Sequence, residues 1–101
     1  MSSSAERNLY LVECYWPGVT EHKVTEIGAR ARAVALEFQL RGRGLQFLGS
    51  ILVPADETVF CFFDGLEDDV RAASLQAGVQ FERVLKALPI GMMSSAEGNE
   101  L

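Results

Sequence analysis

The chain has 101 residues, enough to bury one hydrophobic core and too few for two domains. Hydrophobic residues make up 49% of it and charged residues 23%, a globular composition that excludes disorder as its main state. With 14 acidic and 9 basic residues the net charge is −5, which argues against nucleic acid as a partner, because phosphate backbones require a basic face.

Met1–Arg7 is polar and serine-rich, with no apolar segment of the signal-peptide kind, and no apolar run reaches the length of a membrane span. The expectation is a cytoplasmic protein that neither enters a membrane nor binds nucleic acid. It divides into a flexible N-terminus over 1–7, one folded domain over 8–90, and a flexible tail over 91–101.

Asn8–Gly18 contains a strand stopped by Pro17-Gly18, which cannot continue a ladder. Alternation places Leu9, Leu11, Glu13 and Tyr15 on one face and Tyr10, Val12, Cys14 and Trp16 on the other. Both faces are mainly apolar, so the strand is expected at the centre of a sheet. A helix follows. Thr20 is positioned to cap it, and Val24, Ile27, Gly28, Ala31, Val34, Ala35 and Phe38 recur at helical spacing. Gly42 or Gly44 ends it. Arg30, Arg32, Arg41 and Arg43 fall close together and read as a solvated face, with an anion site as the alternative.

Leu45–Leu52 reads as a second strand with a bulge at Gly49, and Thr58–Phe63 as a third, hairpin-paired with it through Pro54–Glu57. In the third strand Val59, Cys61 and Phe63 face one way and Thr58, Phe60 and Phe62 the other. Asp64-Gly65 is expected to turn the chain into a second helix, Glu67–Ala77, with Val70, Ala73, Ser74 and Ala77 as its stripe. Its acidic first turn of Glu67, Asp68 and Asp69 suits the helix dipole. Gly78 ends that helix, and Val84–Leu88 is the last strand.

The order strand, helix, strand, strand, helix, strand is that of the ferredoxin-like βαββαβ fold, an α+β fold with two helices on one face of a four-stranded antiparallel sheet. Right-handed crossovers place the first strand beside the third in the middle. The helices cover one face only, and the other face of the central strands is apolar as well. The expected cover is a second copy, giving a homodimer of the dimeric α/β-barrel kind, with Tyr10, Trp16, Phe60 and Phe62 near the interface or lining a cavity in it.

Glu13 carries the most chemistry, since a carboxylate on a central strand requires a cation, a metal or a raised pKa. Either it pairs with Arg83, at the entry to the fourth strand, or it serves a pocket as catalytic general base or ligand. Tyr10, Tyr15 and Trp16 offer hydroxyl and indole donors to a small-molecule ligand, or are core and interface residues. Cys14 and Cys61 lie in strands without CxxC spacing and read as buried thiols. Cys61 either packs inertly or joins Glu13 around a soft metal. His22, the sole histidine, sits among charged residues in a first helical turn and reads as solvent-facing. No Walker motif, nucleophile elbow or dinucleotide fingerprint occurs, which excludes hydrolase and NTP-dependent readings resting on them.

The segments L-Y-L-V-E-C-Y-W-P-G (Leu9–Gly18), V-F-C-F-F (Val59–Phe63) and A-G-V-Q-F-E-R-V (Ala77–Val84) together resemble a small bacterial domain-of-unknown-function family, typified by an actinobacterial nickel-binding, nickel-responsive protein. The resemblance spans Leu9 to Pro89. It implies a ferredoxin-like fold and a homodimer, and it points to Glu13, Pro17, Gly18, Cys61, Gly78 and Arg83 as the matching positions. The chain departs from the family's metal-binding members twice: Cys14 stands where they carry an arginine, and Ala73 where by spacing they carry a histidine. Nickel is therefore implied by resemblance alone, with no metal-ligand set assigned and no other cofactor expected. Two functions follow as expectations: a homodimeric binding protein holding a small ligand or metal at the dimer cavity, or a cofactor-free enzyme using Glu13 as acid and base.

Overall fold

The computed structural model describes residues 7–91. In chain order it contains β1 (Asn8–Tyr15), α1 (Glu21–Leu40), β2 (Gln46–Val53), β3 (Thr58–Gly65), α2 (Glu67–Gln76) and β4 (Arg83–Ala87), with a 3-10 turn, Pro54–Asp56, inside the β2–β3 hairpin. The strands form one antiparallel sheet in the order β2-β3-β1-β4. This is the expected ferredoxin-like arrangement, with β1 and β3 central. Among the described residues no helix is long and apolar enough to cross a membrane. Of the expected flexible ends, all but Arg7 and Gly91 lie outside the described residues; Arg7 is ion-paired with Asp64 at 3.5 Å.

Local chemistry explains each helix boundary. The Thr20 hydroxyl accepts from the Lys23 N–H at 3.2 Å, and Glu21 stands at the positive end of the α1 dipole. At the far end Gly42 has φ +81°, its N–H donates to the Gln39 carbonyl, and the Arg43 N–H donates to the Phe38 carbonyl. That is a Schellman closure, which a β-carbon at Gly42 would strain. α2 ends the same way: Gly78 (φ +85°) donates to Leu75 and Val79 to Ser74.

The core lies between the sheet and the helices. β1 contributes Tyr10, Val12 and Cys14, β3 contributes Val59, Cys61 and Phe63, α1 contributes Ile27, Ala31, Val34, Ala35 and Phe38, and α2 contributes Val70 and Ala73. Tyr10 is thus in the core under the helices, and Trp16 packs against that core just beyond β1; neither belongs to the open sheet face where a dimer interface was expected. Strand alternation is the reason, because Tyr10 shares the parity of Val12 and Cys14. Phe60 and Phe62 do face away from the helices, partnered across the ladder by Glu13 and Leu11.

The last three strands differ in their bounds from the sequence reading, and α2 ends at Gln76, one residue short of the expected Ala77. β3 continues through Asp64-Gly65, where a turn was expected, because Asp64 is paired with both Leu9 and Gln46. β2 starts one residue later, leaving Leu45 wholly buried ahead of it, and β4 is shifted one residue toward the N-terminus. The bulge falls where expected: the register shifts between Phe47 and Gly49, and the extra residue, Leu48, is 53% exposed.

Asp69 is a larger departure. Beyond complementing a dipole, it is buried, its side chain 8% exposed, and it accepts two bonds from the Arg43 guanidinium, at 2.8 and 3.1 Å. This fork joins the end of α1 to the start of α2, and it strengthens Arg43's hold on its proton.

Two substitutions test the packing. A β-carbon on Gly65 would stand 2.8 Å from Leu45 Cδ1 and 3.5 Å from Leu45 Cα, so Gly65→Ala should cost about 1–3 kcal/mol in urea unfolding. The Ser74 hydroxyl is buried without a hydrogen-bond partner among the described residues, so Ser74→Ala should leave the urea midpoint unchanged or raise it.

Candidate functional site

The two faces of the sheet carry different chemistry. On the open face stand Leu9, Leu11, Phe60, Phe62, Ile51 and Leu85, with Glu13 and Arg83 directly opposite each other on β1 and β4. Arg83 Nε donates to Glu13 Oε1 at 2.6 Å, with the Glu13 side chain 24% exposed and that of Arg83 62%. The carboxylate raises the guanidinium pKa further, so the cation is permanent. With its carboxylate bound to that cation, Glu13 lines neither the cavity at the end of β1 nor a second one between α1 and β2, lined by Val24, Gly28, Arg32, Phe47 and Ser50. Of the two roles the sequence left open for Glu13, the geometry realises the pair with Arg83.

The concave space lies on the covered side. A cavity of about 330 Å³ opens where β1 ends, floored by Cys14, Val59 and Cys61 and walled by Trp16, Ile27, Val79 and neighbours. That volume is at the small end of small-molecule sites. Its walls are held by specific bonds. The Trp16 N–H donates to the Glu57 carbonyl at 2.7 Å, and the Gly18 N–H donates to Glu57 Oε2 at 2.9 Å, tying the Pro17-Gly18 stop to the hairpin. Glu57 itself is left-handed at φ +50°. On the other wall Arg30 Nε donates to the Ala77 carbonyl at 3.1 Å, latching α1 to the end of α2.

Cys14 and Cys61 are both free and buried. Val12 is the partner of Cys61 and Cys14 the partner of Val59, so the two cysteines are diagonal neighbours on one face, with Ser50 of β2 directly opposite Cys61. The Ser50 hydroxyl donates to Cys61 Sγ at 3.5 Å, and the Cys14 thiol lies 3.8 Å from the Val12 carbonyl. The neighbouring Cys14 thiol holds the Cys61 pKa down to about 7 against the opposing effect of burial, and Ser50 adds to the lowering. The same contact, together with burial, drives the Cys14 pKa up. Of the two thiols, Cys61 is the readier to lose its proton.

The structure therefore separates the predicted site residues. Tyr15, Trp16 and Cys61 line the cavity, Glu13 and Arg83 stand on the opposite face, and Tyr10 lines neither described cavity. A joint metal site of Glu13 with Cys61 is thereby ruled out, since Glu13 is registered with Phe60 and its side chain points away from the helices. Cys14 and Arg30 are cavity residues that sequence reasoning did not assign; the odd spacing between Glu13 and Cys14 was the signal that they occupy different faces. The four clustered arginines disperse. Arg30 takes a carbonyl, Arg32 lies 5.1 Å from the Phe47 ring centre, Arg41 lies 5.7 Å from that of Phe38, and Arg43 holds Asp69. No shared anion site results. His22 is exposed, 3.2 Å from Glu26.

The thiol pair makes stability depend on pH. Folded Cys61 releases its proton near 7 and its unfolded counterpart near 9.0, so the folded state gains stability as pH rises through that window. Cys14, which keeps in the fold a proton it loses when unfolded, acts in the opposite direction at higher pH. Urea midpoints of the wild type should rise between pH 7 and 9.0, and Cys61→Ala should lose that rise.

No protein-family model and no curated protein sequence matches the chain. Among solved structures it is similar to SCO4226 of Streptomyces coelicolor A3(2), known from a crystal structure, with a TM-score of 0.68 and 16% identity over 83% of this chain and 99% of that one. At that identity the likeness establishes a shared fold and nothing about a ligand.

Proposed function

We propose that this chain is a small homodimeric binding protein without enzymatic activity, which pairs open sheet face to open sheet face and holds its ligand in the cavity above Cys14 and Cys61. The observation that carries this reading is the division of the sheet: the carboxylate on the apolar face is neutralised by Arg83 at 2.6 Å, while the cavity lies on the other side. An apolar face of this kind, with its one central charge already paired, is built for packing against an identical face about a two-fold axis. Two free thiols suit a reducing compartment, so the protein works in the cytoplasm. Nickel has no part in this reading. Among the described residues no three His, Cys, Asp or Glu side chains converge, and borderline divalent ions need more ligands than two. The competing reading, a cofactor-free enzyme with Glu13 as acid and base, requires a carboxylate released from Arg83.

Light scattering at micromolar concentration should report a dimer, and Phe62→Glu should give monomer or aggregate, because it places an unpaired carboxylate in a dry contact. A wild-type monomer removes the assembly. Glu13→Gln should lower the melting temperature and weaken the dimer, since it leaves the Arg83 guanidinium without its counter-charge at the contact. A higher melting temperature in that variant would instead favour the acid-base reading.

A further inference from the structure

We propose that Cys14 and Cys61 form a two-coordinate site for a soft monovalent d10 cation, Cu(I) in the cell, at the floor of the cavity beside Arg30. The inference rests on the cavity half of the proposed function and is independent of the dimer.

Register supplies the geometry. The two cysteines are diagonal across β1 and β3, both directed to the covered face and both lining the cavity. Diagonal partners in an antiparallel pair stand about 7–8 Å apart, beyond the roughly 4.4–6.8 Å between α-carbons that a disulfide takes. A metal held by two bonds of about 2.3 Å sets its sulfurs more than twice as far apart as the S–S bond of about 2.05 Å. The arrangement therefore suits a bridging ion better than a direct bond.

Ligand count selects the ion. Zinc requires four ligands and hard cations require oxygen, whereas soft thiolates favour Cu(I), which is satisfied by two sulfurs in line. Among the described residues no third His, Cys, Asp or Glu joins the pair. Charge fits as well. Two thiolates around a monovalent cation carry a net charge of −1, and the Arg30 guanidinium lines the same cavity. The Ser50 hydroxyl, donating to Cys61 Sγ, supports that sulfur from outside the coordination sphere. Binding displaces the Cys14 proton, and that of Cys61 where it is still present, to solvent. Two metal–sulfur bonds form and no electron is transferred. Both sulfurs sit on buried residues, Cys14 and Cys61 being 4% and 1% exposed.

The test loads the intact chain with Ag(I) in air and with Cu(I) under anaerobic conditions. Native mass spectrometry should show one ion per chain, and X-ray absorption of the Cu(I) form should show two sulfur neighbours and no nitrogen or oxygen. Cys14→Ala and Cys61→Ala, which keep the sites small and apolar, should each weaken binding by more than about a hundredfold, since losing only an outer-shell partner costs about 10–100-fold. Ser50→Ala should fall within that outer-shell range. One ion shared by two chains, nitrogen or oxygen ligands, unaltered binding in either cysteine variant, or no uptake would overturn the site. Phe62→Glu separates the two proposals: a monomeric variant should still take one ion per chain, whereas a wild-type dimer that takes none refutes the metal site and leaves the assembly standing.

Discussion

Two helices can cover only one face of a four-stranded sheet, yet both faces of its two central strands are apolar. Most of the architecture follows from that mismatch. On the covered side the alternate residues of β1 and β3 meet the stripes of α1 and α2, and Phe63 and Leu45 are wholly buried there. On the open side the same strands present Leu9, Leu11, Phe60 and Phe62 around a salt bridge, and hydrophobic surface of that kind is unfavourable in water.

Charge is distributed to match. Two carboxylates that approach the interior are each partnered: Asp69 is gripped by Arg43 where the helices meet, and Glu13 by Arg83 on the open face. The two pairs differ in consequence. Asp69 is nearly inaccessible, so its fork with Arg43 is needed simply to bury the carboxylate, whereas the half-open pair on β4 can be screened by water unless something covers it. The cavity at the end of β1 brings different chemistry together, with two buried thiols at its floor and Arg30 in its wall. The open space above these groups makes the cavity, more than the salt bridge, the place to seek a ligand.

What the sequence determined by itself is what short-range chemistry decides. The helical stripe from Val24 to Phe38, the Thr20 cap, the Gly42 and Gly78 ends and the Gly49 bulge all follow from spacing and backbone preference, and the order of elements then selects the ferredoxin-like sheet. Strand parity was equally legible: the separation of Val59, Cys61 and Phe63 from Phe60 and Phe62 is read directly from a period of two. The tertiary structure alone decided which of the two apolar faces the helices cover, because both were hydrophobic enough to be chosen, and that choice sent Tyr10 and Trp16 inward. It also decided register, which no local rule encodes. Register set Glu13 against Arg83, placed Cys61 diagonal to Cys14, and carried Asp64 into the ladder in place of a turn. The burial of Asp69 was hidden for the same reason: an acidic residue in a first helical turn satisfies the dipole wherever it points, and only the packing of α1 against α2 brings Arg43 to it.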